Sequence, residues 1–167
     1  SEQTIQSVSR MALGLESGRL FVGTDEGQLV IVNPETGIEQ VQEVGNGQVM
    51  ALATVPRSGH VVAGFRNGQV VVWDPRRKRS VHTLDAHEGI AYAVAVSPDG
   101  RRLATGGQDQ VVRLWDLDSG MLIHDLPWEG NQVRGVAFHP RTEQLAAVGR
   151  LGDSKTESVA LWNYKDR

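Results

Sequence analysis

Short apolar runs separated by turn residues recur along the chain, and their lengths predict β-strands rather than helices. The clearest stretch runs from Ala86 to Asp116 and reads AHEGIAYAVAVSPDGRRLATGGQDQVVRLWD. Its three apolar runs are divided by Ser-Pro-Asp-Gly and by the segment 106–110. Runs of about five or six residues rich in Val, Ala and Leu, punctuated by Gly, Pro and Asp, are typical of strands joined by tight hairpins. The stretch therefore predicts a three-stranded antiparallel meander.

The same pattern occurs four times. The third strands of the four copies are predicted to end at Asn33, Asp74, Asp116 and Asn163, which lie 41, 42 and 47 residues apart. In three copies a tryptophan precedes that last residue, at Trp73, Trp115 and Trp162. The repeats span approximately 8–44, 48–85, 87–127 and 130–163.

A period of roughly 40 to 45 residues closed by Trp-Asp resembles the WD40-repeat family, and the resemblance covers essentially the whole chain. It implies an all-β fold in which each repeat forms a four-stranded antiparallel sheet, one blade of a β-propeller. Since rings in the family generally have seven or eight blades, residues 1–167 are expected to form one unit, half of an eight-bladed ring. A second copy, or further blades of a longer parent chain, would complete the ring, and a lone four-bladed ring is the third alternative.

The last repeat is expected to lack its outer strand, because only four residues follow Asn163. The outward faces of repeats one and four are then exposed and apolar, and they need partners.

The resemblance also implies two sets of structural residues. A hydrogen-bonded chain of His, Thr, Asp and Trp matches repeat three at His87, Thr105, Asp109 and Trp115. This chain is broken in the other repeats, where Val22, Ala63 and Ala147 replace the Thr. Repeat three is therefore expected to be the most rigid. The residues that close the blades are Trp73, Asp74, Asp116 and Trp162.

A third set belongs to the rim on which the family binds peptides and proteins. Family register assigns Arg10, Ala51, Tyr92 and Arg134 to one inner-strand position facing that rim, and Asp25, Arg66, Gln108 and Trp128 to the neighbouring loops. Arg, Tyr and Trp are enriched in binding hot spots, and three arginines favour an acidic or phosphorylated ligand. The alternative is that these residues are solvated, or that Trp128 packs in an interface. The expected partner-binding set is Arg10, Arg66, Tyr92, Gln108, Trp128 and Arg134.

Composition narrows the partners. The chain has 40% hydrophobic and 22% charged residues, a net charge of −3 and no cysteine, which excludes disulfides and thiolate chemistry. The charge balance gives no reason to expect nucleic acid or an anionic membrane, and no apolar run is long enough to span a bilayer. A cytoplasmic location is the default expectation. The basic cluster at 75–79 can be a nucleic-acid patch or a solvated turn, and the absence of aromatic residues around it favours the turn.

The function expected from these observations is that of a non-catalytic protein-interaction scaffold, a regulatory or sensor part of a larger protein or assembly. Self-assembly into a ring is the second hypothesis and a propeller enzyme the third. No H-x-x-x-H spacing and no Gly-rich loop opening a helix is present, so neither metal nor cofactor is expected. The insertion at 149–158 has two interpretations, a partner contact or an idle surface loop.

Overall fold

The computed structural model describes residues 8–14, 18–150 and 157–164, and all regular structure in these ranges is β-strand. Blade 1 contains β1 (Val8–Gly14), β2 (Arg19–Thr24), β3 (Gln28–Asn33) and β4 (Gly37–Glu43). Blade 2 contains β5 (Val49–Thr54), β6 (Val61–Phe65), β7 (Gln69–Asp74) and β8 (Arg79–Asp85). Blade 3 contains β9 (Ala91–Val96), β10 (Arg102–Gly107), β11 (Val111–Asp116) and β12 (Leu122–Pro127). Blade 4 contains β13 (Gln132–Phe138), β14 (Gln144–Arg150) and β15 (Glu157–Asn163).

Each blade is an antiparallel meander whose strands pair in chain order. The all-β fold and the four repeats predicted from the sequence are confirmed, and within the described residues blade 4 has three strands. The structure contains no helix in these ranges that is long and apolar enough to cross a membrane.

The turns connecting second and third strands are tight because a residue with positive φ closes them. In blade 2 this residue is Gly68, with φ of 87°. A Cβ at Gly68 would also collide with the backbone carbonyl of His87, in the segment leading to the next blade. The Asn67-Gly68 turn predicted from the sequence therefore needs glycine for two reasons, backbone conformation and close approach.

Every inner strand carries a β-bulge near its start. The register shifts by one residue at Ser9 in β1, at Met50 in β5, at Tyr92 in β9 and at Arg134 in β13. A bulge leaves one residue unpaired and re-aims its side chain. The four bulged residues therefore occupy one equivalent position at the same end of the four blades.

The hydrophobic cores lie between blades rather than inside them. Val62, Val70 and Val72 of blade 2 pack against Ala91, Leu103 and Trp115 of blade 3. The joint between blades 1 and 2 contains Phe21, Leu29 and Ile31 against Val49, Val61 and Trp73, and the joint between blades 3 and 4 has the same construction. Each blade thus has a front face, which covers the next blade, and a back face, which covers the preceding one.

The four blades form an open arc. The inner strands pack in the order β1, β5, β9, β13, and the described part of the chain shows no such packing between β1 and β13. The front face of blade 4 and the back face of blade 1 are therefore the two ends of the arc.

Prediction from the joint between blades 3 and 4. Gly106→Ala should lower the free energy of unfolding by about 1–3 kcal/mol, because overpacking strains a tight interior. A Cβ on Gly106 would lie 2.9 Å from the Cβ of Val133, which is fully buried. Urea unfolding followed by tryptophan fluorescence measures the loss.

The matched control is Val133→Ala, alone and combined with Gly106→Ala. If the clash is the cause, the double variant costs less than the sum of the single variants, since contacting residues are coupled. Strict additivity would contradict the explanation.

Candidate functional site

The four residues predicted to form the polar chain of blade 3 lie in hydrogen-bond contact. The Nε1 of Trp115 donates to the Oγ1 of Thr105 at 3.0 Å, and the same oxygen lies 2.8 Å from the Nε2 of His87. The Nδ1 of His87 lies 2.7 Å from a carboxylate oxygen of Asp109. Thr105 is on β10, Trp115 on β11, and His87 and Asp109 are in neighbouring connections. The chain therefore ties the middle of the blade to its upper loops.

The contacts fix the protons on the histidine. Because Thr105 accepts from Trp115, its hydroxyl hydrogen is available for the Nε2 of His87. The Nδ1 of a neutral imidazole then carries the hydrogen that Asp109 accepts. Burial holds the pKa of His87 below its usual value, although the charge of Asp109 opposes this effect. His87 is therefore a neutral structural group near pH 7.

Arg113, which the sequence analysis did not select, completes the network. Its Nη1 donates to the second oxygen of Asp109 at 2.6 Å, and its Nε lies 3.1 Å from Asp125. Burial alone would raise the pKa of Asp109, but the hydrogen bonds and charges of Arg113 and His87 together hold that pKa below its usual value. The carboxylate stays ionised and anchors the upper loops of blade 3.

The arrangement superficially resembles a catalytic triad, with a hydroxyl, an imidazole and a carboxylate in sequence. Thr105, however, is fully buried, and its oxygen already accepts the indole N–H of Trp115. A nucleophile has to reach its substrate, so this hydroxyl is placed for structure. In addition, no group of three or more His, Asp or Glu side chains that could hold a metal ion occurs within the ranges described.

Blade 2 satisfies its tryptophan in a different way. Ala63 stands where Thr105 would be, and the Nε1 of Trp73 instead donates to the Oε1 of Gln42 at 2.6 Å. Gln42 is buried on β4 of blade 1, and its amide donates to the carbonyl of Pro75 at 3.0 Å. Sequence reasoning missed Gln42, although Ala63 beside a conserved-type Trp-Asp ending signals that Trp73 needs another acceptor. The polar link thus runs between blades instead of within one.

The aspartates after the tryptophans close the turns that lead to the outer strands. The Oδ1 of Asp74 accepts the backbone N–H groups of Arg76 and Arg77 at 3.0 and 3.1 Å. Asp116 accepts the backbone N–H of Ser119 at 2.9 Å and the guanidinium of Arg102 at 2.6 Å. Trp162 of blade 4 packs partly buried against the core between blades 3 and 4. The predicted blade-closing residues all lie at these turns or joints.

The upper rim is the surface formed by segments 25–27, 44–48, 66–68, 86–90, 108–110 and 128–131, with the bulged residues beside them. On it, the guanidinium of Arg134 lies over the ring of Tyr92, 5.7 Å from the ring centroid. Gln48 joins two loops, since its amide donates to Asp25 at 2.6 Å and its Oε1 accepts from Arg66 at 3.3 Å. Gln108 is exposed and accepts the N–H of Ile90 at 3.3 Å.

The predicted register is wrong by one residue in the first two blades. Strand pairing makes Ser9 and Met50, not Arg10 and Ala51, equivalent to the bulged Tyr92 and Arg134. Ala51 is buried. Arg10 nevertheless reaches the rim, because its exposed side chain donates from Nε to the carbonyl of Met50 at 2.6 Å. A bulge has no residue-type marker in these apolar strands, which explains the slip.

Trp128 is not an exposed rim residue, which corrects the prediction for this position. Only 6% of Trp128 is exposed, because the ring belongs to the core between blades 3 and 4. It packs with Val133 and Leu145, and its indole N–H is buried without a hydrogen-bond partner among the residues described. The alternative weighed for Trp128, interface packing, describes its position.

Three rim arginines have no carboxylate partner. Arg10, Arg66 and Arg134 are exposed, and within the described residues none of them forms a salt bridge. Four other arginines are ion-paired: Arg19, Arg77, Arg102 and Arg113. The rim therefore presents positive charge that the protein itself leaves uncompensated. The core of the insertion at 149–158, residues 151–156, lies outside the described residues.

A family model, "WD domain, G-beta repeat", matches residues 78–116, which include the outer strand of blade 2 and the complete polar chain of blade 3. The match, the four sheets and their packing agree. The chain belongs to the WD40-repeat family.

Two curated proteins show the extent of the similarity. The transcriptional corepressor LEUNIG_HOMOLOG of Arabidopsis thaliana is 31% identical over 65% of this chain and 13% of its own length. The small ribosomal subunit protein RACK1y of Oryza sativa subsp. japonica is 31% identical over 67% of this chain and 31% of its own. The WD40 chain described here therefore spans a third or less of these relatives.

A solved structure shows how much of a larger fold the arc represents. A chain in the crystal structure of the mitotic checkpoint complex superposes with a TM-score of 0.87 and 25% identity. The alignment covers 99% of this chain but 52% of the other one. The four WD40 blades thus correspond to about half of that structure.

Prediction for the polar chain. Thr105→Val should lower the free energy of unfolding by about 1–3 kcal/mol, because it leaves the buried Trp115 N–H and His87 Nε2 without partners. Denaturant unfolding measures the change, and Thr105→Ser is the control that keeps the hydroxyl. Equal losses in the two variants would show that the hydroxyl is not what matters.

Prediction for pH. The native state resists protonation of His87, whereas the unfolded chain takes up that proton around pH 6.5. The free energy of unfolding should therefore fall as pH is lowered from 7 towards 5, by at most about 1.4 kcal/mol per pH unit for one proton. The depressed pKa of Asp109 acts only at lower pH, below the usual value of that carboxyl.

Unfolding curves at several pH values in His87→Gln should show a shallower slope over this interval than the wild type. His139→Gln removes a histidine from an exposed turn and is the matched control. An unchanged slope in His87→Gln would remove His87 from the explanation.

Proposed function

We propose that this WD40 chain is a non-catalytic interaction scaffold whose upper rim binds an acidic or phosphorylated segment of a protein partner. The observation that carries the proposal is the set of three exposed rim arginines without carboxylate partners, Arg10, Arg66 and Arg134. A guanidinium forms strong, charge-assisted hydrogen bonds with carboxylates and phosphates, which are the groups such a segment offers.

The surroundings of these arginines support a peptide as ligand. Tyr92 lies under Arg134 and offers a flat apolar surface beside a positive charge, a combination common at binding hot spots. The turns that hold Arg66 and Gln108 are anchored by backbone hydrogen bonds to Gln48 and Ile90, at 2.9 Å each. A rim that is already ordered loses little conformational freedom on binding.

The relatives act in assemblies, as their names state. One is a transcriptional corepressor, another is a protein of the small ribosomal subunit, and the solved neighbour is part of the mitotic checkpoint complex. A scaffold role for this chain is consistent with that range. The acidic character of the ligand, the exclusion of nucleic acid and the cytoplasmic location remain predictions.

An enzymatic role has no specific observation in its favour. The only hydroxyl–imidazole–carboxylate arrangement noted above is buried and structurally engaged. Self-assembly, the second function weighed from the sequence, does have one, the uncovered end of the arc at blade 4. Sequence alone left a second copy and further blades as its two candidate occupants.

Prediction for the rim. The purified chain should bind acidic or phosphorylated members of a synthetic peptide library in preference to neutral and basic members. The combined variant Arg10→Ala, Arg66→Ala and Arg134→Ala should weaken that binding by about tenfold or more, since each lost charge-assisted hydrogen bond contributes about 1.5–3 kcal/mol. Fluorescence anisotropy with labelled peptides measures the affinity.

The matched control removes three arginines from the opposite rim, Arg76, Arg79 and Arg101, which lie in or next to the turns at 75–78 and 97–101. Both variants have the same net charge, so a general electrostatic effect would weaken both equally. Equal weakening, or preference for basic peptides, would refute a specific acidic site on the upper rim.

A further inference from the structure

The front face of blade 4 is an exposed apolar surface made of Val148, Val159 and Leu161. Their exposed fractions are 40%, 68% and 65%. Strand pairing gives the equivalent positions in the other blades, and the residues there that correspond to Val159 and Leu161 are at most 4% exposed: Leu29, Val70 and Val112, and Ile31, Val72 and Leu114. Blade 4 therefore has the front face of an inner member of a row, with nothing over it among the described residues.

The other joints show what kind of structure covers such a face. In each of them, the start of the next blade's inner strand lies against the position equivalent to Val148. The covering residues are Val49, Ala91 and Val133. This joint occurs three times in the chain, so the chemistry that fits the front face of blade 4 is the back face of another blade.

The chain carries one free back face of its own, on blade 1. Val8 occupies the position of Val49, Ala91 and Val133, and it is 49% exposed, whereas those three are fully buried or nearly so. Joining two copies end to end would place Val8 of one copy against Val148 of the other.

The sizes of these two residues oppose that pairing. In the three existing joints the residue at the position of Val148 is glycine, namely Gly23, Gly64 or Gly106. A Cβ there would lie 2.7 Å from the Cβ of Val49 or 2.9 Å from that of Val133, closer than carbon atoms approach in packed proteins, but 3.4 Å from that of Ala91. Two valines do not fit in the same joint, and a valine needs a smaller residue opposite.

We propose that the front face of blade 4 receives a further WD40-type blade, different from blade 1 of this chain, whose inner strand carries glycine or alanine opposite Val148. The size relation is then the reverse of the one between Gly106 and Val133. The similarity to a solved chain of which these four blades cover 52% fits a ring with additional blades. Val148 excludes the chain's own blade 1 and thereby selects against closure by a second copy.

Light scattering on the purified chain, over a range of concentrations, tests this selection. The wild type should have the monomer mass of 18.2 kDa. Val148→Gly restores the glycine–valine pairing of the joints at Gly23 and Gly106, and this variant should give a species of about twice that mass. Val8→Ala gives the chain's own blade 1 the small residue that we assign to the partner, and it should dimerise as well.

Two controls separate the joint from general stickiness. Adding Leu161→Asp to Val148→Gly should return the mass to that of the monomer, because it places a charge on the apolar face. Val41→Gly alters an equally exposed valine on the outer strand of blade 1, outside the joint, and should leave the monomer unchanged.

The proposal is overturned by a wild-type dimer that Leu161→Asp dissociates, because the second copy is then the occupant. It is also overturned if both Val148→Gly and Val8→Ala remain monomeric, or if larger species form irrespective of residue 161. These outcomes are independent of peptide binding at the upper rim, which the anisotropy measurement addresses separately.

Discussion

Burial of one sheet against the next is the interaction on which the rest of this structure depends. A four-stranded sheet that is isolated in water leaves both apolar faces exposed, and the gain from burying apolar area comes only when a neighbouring blade covers them. In this chain the cores at Val62, Val70 and Val72, and at the equivalent residues of the other joints, are shared by two blades. Stability is therefore a property of blade pairs, and the glycines at the joints set how closely a pair can approach.

Polar groups that are buried by this packing have to find partners inside it. Blade 3 does so within the blade, through His87, Thr105 and Trp115, whereas blade 2 does so through Gln42 of the preceding blade. The two solutions have different mechanical consequences. The first makes blade 3 rigid by itself, and the second makes the order of blade 2 depend on its contact with blade 1. Both satisfy the requirement that a buried indole N–H be hydrogen-bonded.

The sequence predicted the strands, the repeats and the polar chain of blade 3 because each has a local marker. Asn67-Gly68 marks a hairpin, and Trp115-Asp116 marks the end of a third strand. The misplaced features depend on contacts between distant residues. The bulge at Ser9 follows from pairing with β2, the burial of Trp128 from a core formed with blade 4, and the role of Gln42 from a neighbour 31 residues away. Such contacts leave no pattern of adjacent residues, and only the structure reveals them.

The upper rim and the joints use different residues of the same strands, which lets them vary separately. At a bulge the side chain turns away from the pairing and toward the rim, as at Tyr92 and Arg134, while the residue before it, Ala91 or Val133, stays in the joint. A substitution at the bulge therefore changes what the rim contacts without changing the core. A substitution one residue earlier changes which blade can follow. Adjacent positions in each inner strand thus determine the ligand surface and the order of the blades.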